Sequence, residues 1–499
     1  MAKTYQQKEE ELKKVPKIAA IVALVLIVAF LGSLLVNSNF LRRRVTAVEA
    51  SGVKFTAADA SYFYKEAINE YTNMVYQYLG ENASIMLPNS SQSYSSQINE
   101  STGTTWEYFF SDNAYTTMRQ IGAMYTAAQN SGFVLTEEQE AEFDAQIAEM
   151  TAQIEQYYGL SLKEYVKQNY RNTINEKDYL RLSRIRYVVG EYSESVNDAF
   201  TYSATELADY YTENKDNLDT FSIRYFTVAA AEGEEVSVAE TKANGYVASI
   251  TNEQEFIDAA REYDAEAYAD DDSTLHNALG EYVAGSYAEW AKDAARKVGD
   301  ITTLAVSEGD TNTSFYVLYF AGRDVNNYAT KNYREMVLTQ KEVLTSAYTG
   351  EDGVFDQAGY DKAVEDARAE LEFNATKLLG ELRTGSSDAY EERLIELTDN
   401  VFNEATGGLY ENIEKNRAGI DKQINDWLYS DIKTHGTTQI EDANGAIHII
   451  LFLGDGDIYR DSLAEARLRS ADFSEWQEQF TDAEGHITFL YRLRVTSMT

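Results

Sequence analysis

The residues able to do chemistry are few, and their spacing excludes most of the chemistry open to their types. The chain has four histidines, His276, His435, His448 and His486, and no cysteine. Without thiols there are no disulfides, zinc–thiolate sites, thiol nucleophiles or lipid-modified cysteine anchors. His276, His435 and His486 are scattered, with no metal-ligand spacing around them. The run Asp270-Asp271-Asp272 lacks the spaced ligands and terminal Glu of a calcium loop and reads as a solvated acidic loop. No Gly-x-Ser-x-Gly elbow, P-loop or dinucleotide fingerprint occurs. These residues call for no metal and no cofactor.

The 499 residues, 44% of them hydrophobic, suffice for several cores and for roughly two to four domains. A formal charge of −39 argues against a nucleic-acid partner, which needs clustered Lys and Arg, and against broad contact with anionic lipid. Such charge mostly keeps a protein soluble and monomeric. Proline occurs only at Pro16 and Pro88, whereas tyrosine occurs 37 times. That balance suits long helices carrying amphipathic aromatics, which serve cores or peptide-binding surfaces.

From Ile18 to Val36 the chain reads IAAIVALVLIVAFLGSLLV, an uncharged apolar run. About twenty residues at ~1.5 Å each match a hydrocarbon core of about 30 Å. The run is too long for the core of a secretory signal, and no small-x-small cleavage site follows it, so it reads as an uncleaved anchor. A cleaved signal peptide is the alternative. Lysines 3, 8, 13, 14 and 17 precede the run and Arg42, Arg43 and Arg44 follow it. The lysines favour a cytoplasmic tail over 1–17, while the arginine trio pulls the other way.

Residues 45–220 read as helices. Thr136 with Gln139, Ser161 with Glu164 and Ser203 with Glu206 fit the capping box, in which a hydroxyl and a later Glu or Gln satisfy orphan amides reciprocally. A first helix is expected over about Thr56 to Leu79. The Ser/Asn/Gln/Thr-rich stretch from Asn82 to Thr105 reads as a mobile loop. Thr136 to Tyr158 carries Phe143, Ile147, Met150 and Ile154 at amphipathic-helix spacing. At Phe221 the pattern changes: FSIRYFTVA, and later SFYVLYFAGR from Ser314 to Arg323, are β-branched and aromatic strands.

An internal repeat follows. Trp290 precedes Gly299 by nine residues, and Trp427 precedes Gly436 by nine. Each pair leads into a strand ending in Phe-x-Gly, Phe320 to Gly322 and Phe452 to Gly454. Each unit opens on a short strand after an arginine, Arg224 in IRYFTV and Arg334 in YREMVL. Residues 221–328 and 329–455 thus read as two copies of one α/β module.

The segment GGLYENIEKNRAGIDKQINDWLYSDIKTHGTTQIEDANGAIHIILFLG, Gly407 to Gly454, resembles the second half of a parvulin (PpiC-type) prolyl isomerase domain. EWAKDAARKVGDITTL resembles the same helix and turn in the first copy. The helical region followed by YSATELADYYTENKDNLDTFSIRYFTV is similar to the SurA/PrsA foldases, which in Gram-positive bacteria are membrane-anchored. The resemblance covers most of residues 45–480. It implies an α+β chain: a transmembrane helix at 18–36, a helical chaperone-like domain at 45–220, and degenerate parvulin-like modules at 221–328 and 329–455. A C-terminal helix and tail, 456–499, would pack back on the helical domain, with Asp461 to Phe480 as the returning helix.

Active parvulins carry one His on the first strand, in a Val-Arg-His-Ile-Leu pattern, and a second on the last strand. Tyr225 and Tyr316 stand at these positions in the first module, and Glu335 and His448 in the second. Ala446 and Ile447 replace the family's Gly and Tyr. Isomerisation about Xaa-Pro crosses a barrier of about 18–20 kcal/mol and needs no nucleophile, only a site that favours the twisted amide. The resemblance therefore implies catalytic roles for these four residues, with Trp427, Phe452, Trp290 and Phe320 lining substrate-binding pockets. The alternative is that His448 is a structural strand residue. The implied function is an extracytoplasmic folding factor at the cell membrane whose partners are unfolded exported polypeptides. A catalytically inactive scaffold or adhesin-like protein binding a folded partner is the other reading.

Overall fold

The computed structural model describes residues 22–30 and 42–487, apart from 171–172, 309–310, 351–352 and 399–407. Among these residues no helix is long and apolar enough to cross a membrane. Residues 22–30 are helical with exposed apolar side chains, such as Leu24, Leu26 and Phe30. The remainder of the expected 18–36 anchor, like the 1–17 tail, lies outside the described residues. The described chain is α+β and divides into two compact units, 1–201 with 469–499, and 202–468.

The first unit begins with strands where helix is expected. β1 (Thr46–Ala50) and β2 (Val53–Thr56) form a hairpin. Its turn, Ser51-Gly52, has φ of 48° and 89°, the left-handed pair that matches strand twist in a tight hairpin. Thr56 then caps α1 (Ala57–Leu79) through a capping box with Asp59. The stretch after α1 contains local structure where an irregular loop is expected. The Gln97 amide nitrogen donates to the carbonyls of Asn89 and Gln92, and β3 (Ile98–Asn99) pairs with β4 (Thr104–Thr105). Its polar side chains bond local backbone, an arrangement that composition alone does not disclose.

α2 (Trp106–Ser131), α3 (Glu137–Tyr158), α4 (Leu162–Asn169) and α5 (Glu176–Ala199) complete the helices. The boxes at Thr136 and Ser161 are present, and Asn175 with Asp178 makes another. On α3, Phe143 and Ile154 are buried, while Ile147 and Met150 are only partly covered. The core is aromatic, with Phe55, Phe63, Tyr64 and Phe110 almost fully buried.

The second unit opens with α6 (Ala204–Leu218), capped by Ser203 and Glu206. The division between the two compact units falls at 201/202, ahead of this helix. α6 is tied to the strands after it because Arg323 pairs with Asp216 and Asp219 (2.6 and 2.5 Å), and Asn326 donates to the Leu218 carbonyl.

The first module runs β5 (Thr220–Ala229), α7 (Val236–Ser249), α8 (Glu253–Tyr263), β6 (Leu275–Leu279), α9 (Ala288–Lys292), β7 (Ile301–Glu308) and β8 (Thr311–Asp324). The second runs β9 (Ala329–Leu338), α10 (Gln357–Leu382), α11 (Tyr390–Leu397), β10 (Leu409–Ile413), α12 (Lys422–Leu428), β11 (Thr437–Glu441) and β12 (Ile447–Ile458). The sheets have matching antiparallel orders, β6-β5-β8-β7 and β10-β9-β12-β11. α13 (Tyr459–Thr481) follows and leads to β13 (Gly485–Ile487), which pairs with β1. Within the first unit, Trp476 meets Tyr192 at 5.8 Å and the Tyr115 hydroxyl donates to the Gly485 carbonyl (3.0 Å).

Candidate functional site

Register places the two modules in correspondence residue by residue. Ser222 pairs with Gly322 and Ile223 with Phe320; Asn332 pairs with Gly454 and Tyr333 with Phe452. Each Phe-x-Gly is thus a β-bulge, with Ala321 and Leu453 as the extra residues. It follows that Arg224 corresponds to Arg334, Tyr225 to Glu335, and Tyr316 to His448. The arginines share a role, each meeting a glutamate in the first turn of the module's second helix. Arg224 reaches Glu253 at 2.6 Å, and Arg334 reaches Glu391 at 2.9 Å. Both arginines lie in mid-strand, so β5 and β9 start before them.

The Trp-x8-Gly match is out of step by one residue. The backbone N–H groups of Gly299 and His435 donate to the Phe320 and Phe452 carbonyls, and both residues have positive φ, 94° and 65°. The counterpart of Gly299 is therefore His435, not Gly436. Backbone conformation, rather than residue identity, is what the fold repeats here.

The second module brings its two predicted residues into contact. The His448 Nδ1 lies 2.6 Å from the Glu335 Oε1, with side chains only 14% and 7% exposed. They sit diagonally across β9 and β12, since His448 opposes Val337 and Glu335 opposes Ile450. Behind Glu335 the backbone is fixed by Gly408, whose carbonyl accepts the Glu335 N–H at 2.9 Å.

A third member had no sequence signal. The Asp442 Oδ2 lies 3.4 Å from the His448 Nε2, near enough for an ion pair, but that nitrogen has no aligned hydrogen-bond partner. Asp442 opens the turn between β11 and β12, and its other oxygen accepts from the Asn444 and Ala446 amides at 2.9 and 2.8 Å. The Ala446 that departs from the parvulin pattern thus donates its amide to the carboxylate beside the histidine.

Burial pushes the His448 imidazole down, but the hydrogen bond and charge of Glu335, then the nearby carboxylate of Asp442, outweigh it and hold it above its ordinary value. Burial pushes Asp442 up, yet the Ala446 amide, the His448 imidazole and the Asn444 amide together hold it below the usual carboxylate range. The two carboxylates lie at opposite ring nitrogens, so they converge on no common point. Among the described residues no three His, Asp or Glu side chains are arranged to hold a metal ion.

A histidine raised in the fold stabilises it fully below its unfolded value of 6.5, and that contribution is lost as pH rises through the raised value. Asp442, lowered from 3.8, contributes above 3.8 and loses its contribution as pH falls through the lowered value. Hydrogen-exchange protection of β12, corrected for intrinsic rates, is therefore expected to fall as pH rises above 6.5 and through the raised value. In His448→Gln that fall should be absent.

The first module replaces this charged group with rings. Tyr225 meets Tyr316 at 5.1 Å and Tyr287 at 5.7 Å, and stacks on His276 at 4.0 Å. Of the expected pocket residues, Phe320 and Phe452 are 3% exposed and belong to the cores. Each is pinned because it closes the strand after the turn, accepting from the preceding positive-φ residue. Trp427 packs partly buried over the β9–β12 face, and Trp290 carries the Arg296 guanidinium 4.5 Å from its ring. Asp271 pairs with Arg261 at 2.7 Å, and its carbonyl accepts from Arg224.

In comparisons with known proteins, no family model and no curated sequence matches the chain.

Proposed function

We propose that the chain is a membrane-anchored, extracytoplasmic folding factor that holds unfolded polypeptides, with its parvulin-like modules serving as binding rather than catalytic surfaces. The observation that carries this is the closure of both catalytic positions. His448 has one nitrogen bonded to Glu335 and the other buried beside Asp442, and its module-one counterpart Tyr316 packs against Tyr225. A group engaged in this way presents no free ring nitrogen to an incoming Xaa-Pro amide, whereas a catalytic side chain acts from within hydrogen-bond reach of its substrate. The holding role is supported by the first unit, where Met74, Tyr76, Tyr78, Ile85, Met86, Ile98 and Tyr108 are exposed along and after α1. The anchor rests on the apolar run 18–36.

The test uses the full chain in detergent or nanodiscs. Aggregation of a chemically unfolded protein should slow at near-stoichiometric ratios, while short Xaa-Pro peptides should isomerise no faster than without it. A rate gain lost in His448→Ala would restore the isomerase. Failure to delay aggregation, with a stable complex formed on one native protein, would favour the scaffold.

A further inference from the structure

The two modules differ at the edge of their sheets. In the second, β11 is the edge strand, and two of its three outward carbonyls, those of Thr437 and Glu441 but not Gln439, are occupied. Arg383 donates to the Thr437 carbonyl (2.7 Å) and Gln423 to the Glu441 carbonyl (3.2 Å). In the first, β7 holds the corresponding place. The Phe320 N–H donates to the Asp300 carbonyl, and the register from there pairs Thr302 with Leu318 and Leu304 with Tyr316. Antiparallel alternation then turns the N–H and C=O groups of Ile301, Thr303 and Ala305 away from the sheet. Among the described residues these groups have a single partner, the Thr302 hydroxyl at 3.4 Å from the Thr303 carbonyl.

Natural edges are blunted by Lys, Pro, bulges or shortness. β7 reads ITTLAVSE, without Lys or Pro and without a charge before Glu308, and its one irregularity, at Val306–Ser307, lies beyond the outward groups of Ile301, Thr303 and Ala305. We propose that this edge accepts an extended segment of a client polypeptide as an added strand. The inference rests on the polypeptide-binding reading and says where the backbone of the client is held. A row of alternating donors and acceptors is complementary to an extended backbone. Side chains of the docked strand would alternate between two surfaces. One lies beside Leu304, which packs with the Tyr225, Tyr287 and Tyr316 rings, and the other lies beside Ile301 and Ala305. The occupant is a neutral or basic segment with alternating apolar residues. A second copy of this chain is disfavoured because each copy carries a charge of −39.

The probe is the acetylated, amidated peptide Lys-Val-Thr-Val-Thr-Val-Lys, added to the full chain in nanodiscs and followed by fluorescence anisotropy. A companion peptide carries N-methyl groups on the alternate amides of one edge. Thr303→Pro removes an outward N–H that the fold does not use, a position where an edge strand tolerates proline. Binding is expected to weaken at least about tenfold with the methylated peptide and with the variant. Amide exchange over 301–307 should slow when the parent peptide binds.

Unchanged binding in Thr303→Pro, with β8 protection at the parent level, would overturn the edge site and leave polypeptide binding elsewhere intact. Should the variant lose β8 protection, the methylated peptide on the unmodified chain decides in the same terms. Self-association of the chain that is lost in Thr303→Pro would give the edge to a second copy and overturn the client assignment. Absence of both peptide binding and aggregation delay would sink this inference and the reading beneath it together.

Discussion

Truncating His448 to alanine is expected to cost the second module about 3 kcal/mol, because it leaves the carboxylate of Glu335 buried without its partner. Glu335 is 5% exposed, and its Oε1 is the atom that meets the His448 Nδ1. The attraction itself is not the source of that loss. Replacing a buried ion pair by apolar groups is often neutral, whereas removing one member is not. The double substitution Glu335→Leu with His448→Leu should therefore recover most of what His448→Ala loses. Exchange protection of the β9 and β12 amides reports this locally, without assuming that the whole chain unfolds in one step. A loss below about 1 kcal/mol in His448→Ala would mean that Glu335 finds water or another donor, and that the pair is incidental. The first module already indicates that the position does not require charge, since Tyr225 and Tyr316 fill it with rings.

What the sequence could disclose followed the distance over which each feature is determined. Capping boxes are complete within four residues, so those at Thr136, Ser161 and Ser203 could be read directly. A template of hydroxyl plus Glu or Gln passes over the boxes at Thr56 and Asn175, which use Asp at the third position. The Phe-x-Gly repeat was visible because a bulge needs a small residue at a fixed place, whereas Gly436 was misleading because the left-handed residue beside it is His435. Glu335 and His448, 113 residues apart, could be paired only through the resemblance. Asp442 had no such route. It enters the group because an Asp-Ala-Asn-Gly-Ala turn folds its carboxylate back toward β12, a consequence of hairpin geometry rather than of any motif. The opening hairpin was missed for a different reason: Ser51-Gly52 is a legible turn, but its flanking strands are five and four residues long and run straight into α1.

Gly408→Ala is expected to be at least as damaging as the loss of His448, by a different route. Gly408 has φ of 70°, and a methyl group there would stand 2.0 Å from the Glu335 carbonyl oxygen and 3.1 Å from its carbon. These are main-chain atoms of a central strand, and β9 cannot yield without disturbing its pairing with β12. β10 would have to withdraw instead, taking Tyr410 from its stack on Tyr333 (4.7 Å) and Ile413 from the core. The expected cost is about 3 kcal/mol or more, in the range of severe steric and strain effects. Gly419→Ala is the matched control, because Gly419 has φ of 86° with nothing within 4 Å of the added methyl group. It should cost only the left-handed conformation, about 1–2 kcal/mol. Unfolding of the second module, followed by exchange at residues 333–338, separates the two. Equal effects at the two glycines would mean that the turn before β10 moves freely and that Glu335 is held by its strand alone. A larger effect at Gly408 would assign the placement of Glu335, and through it of His448, to a close approach that only glycine permits.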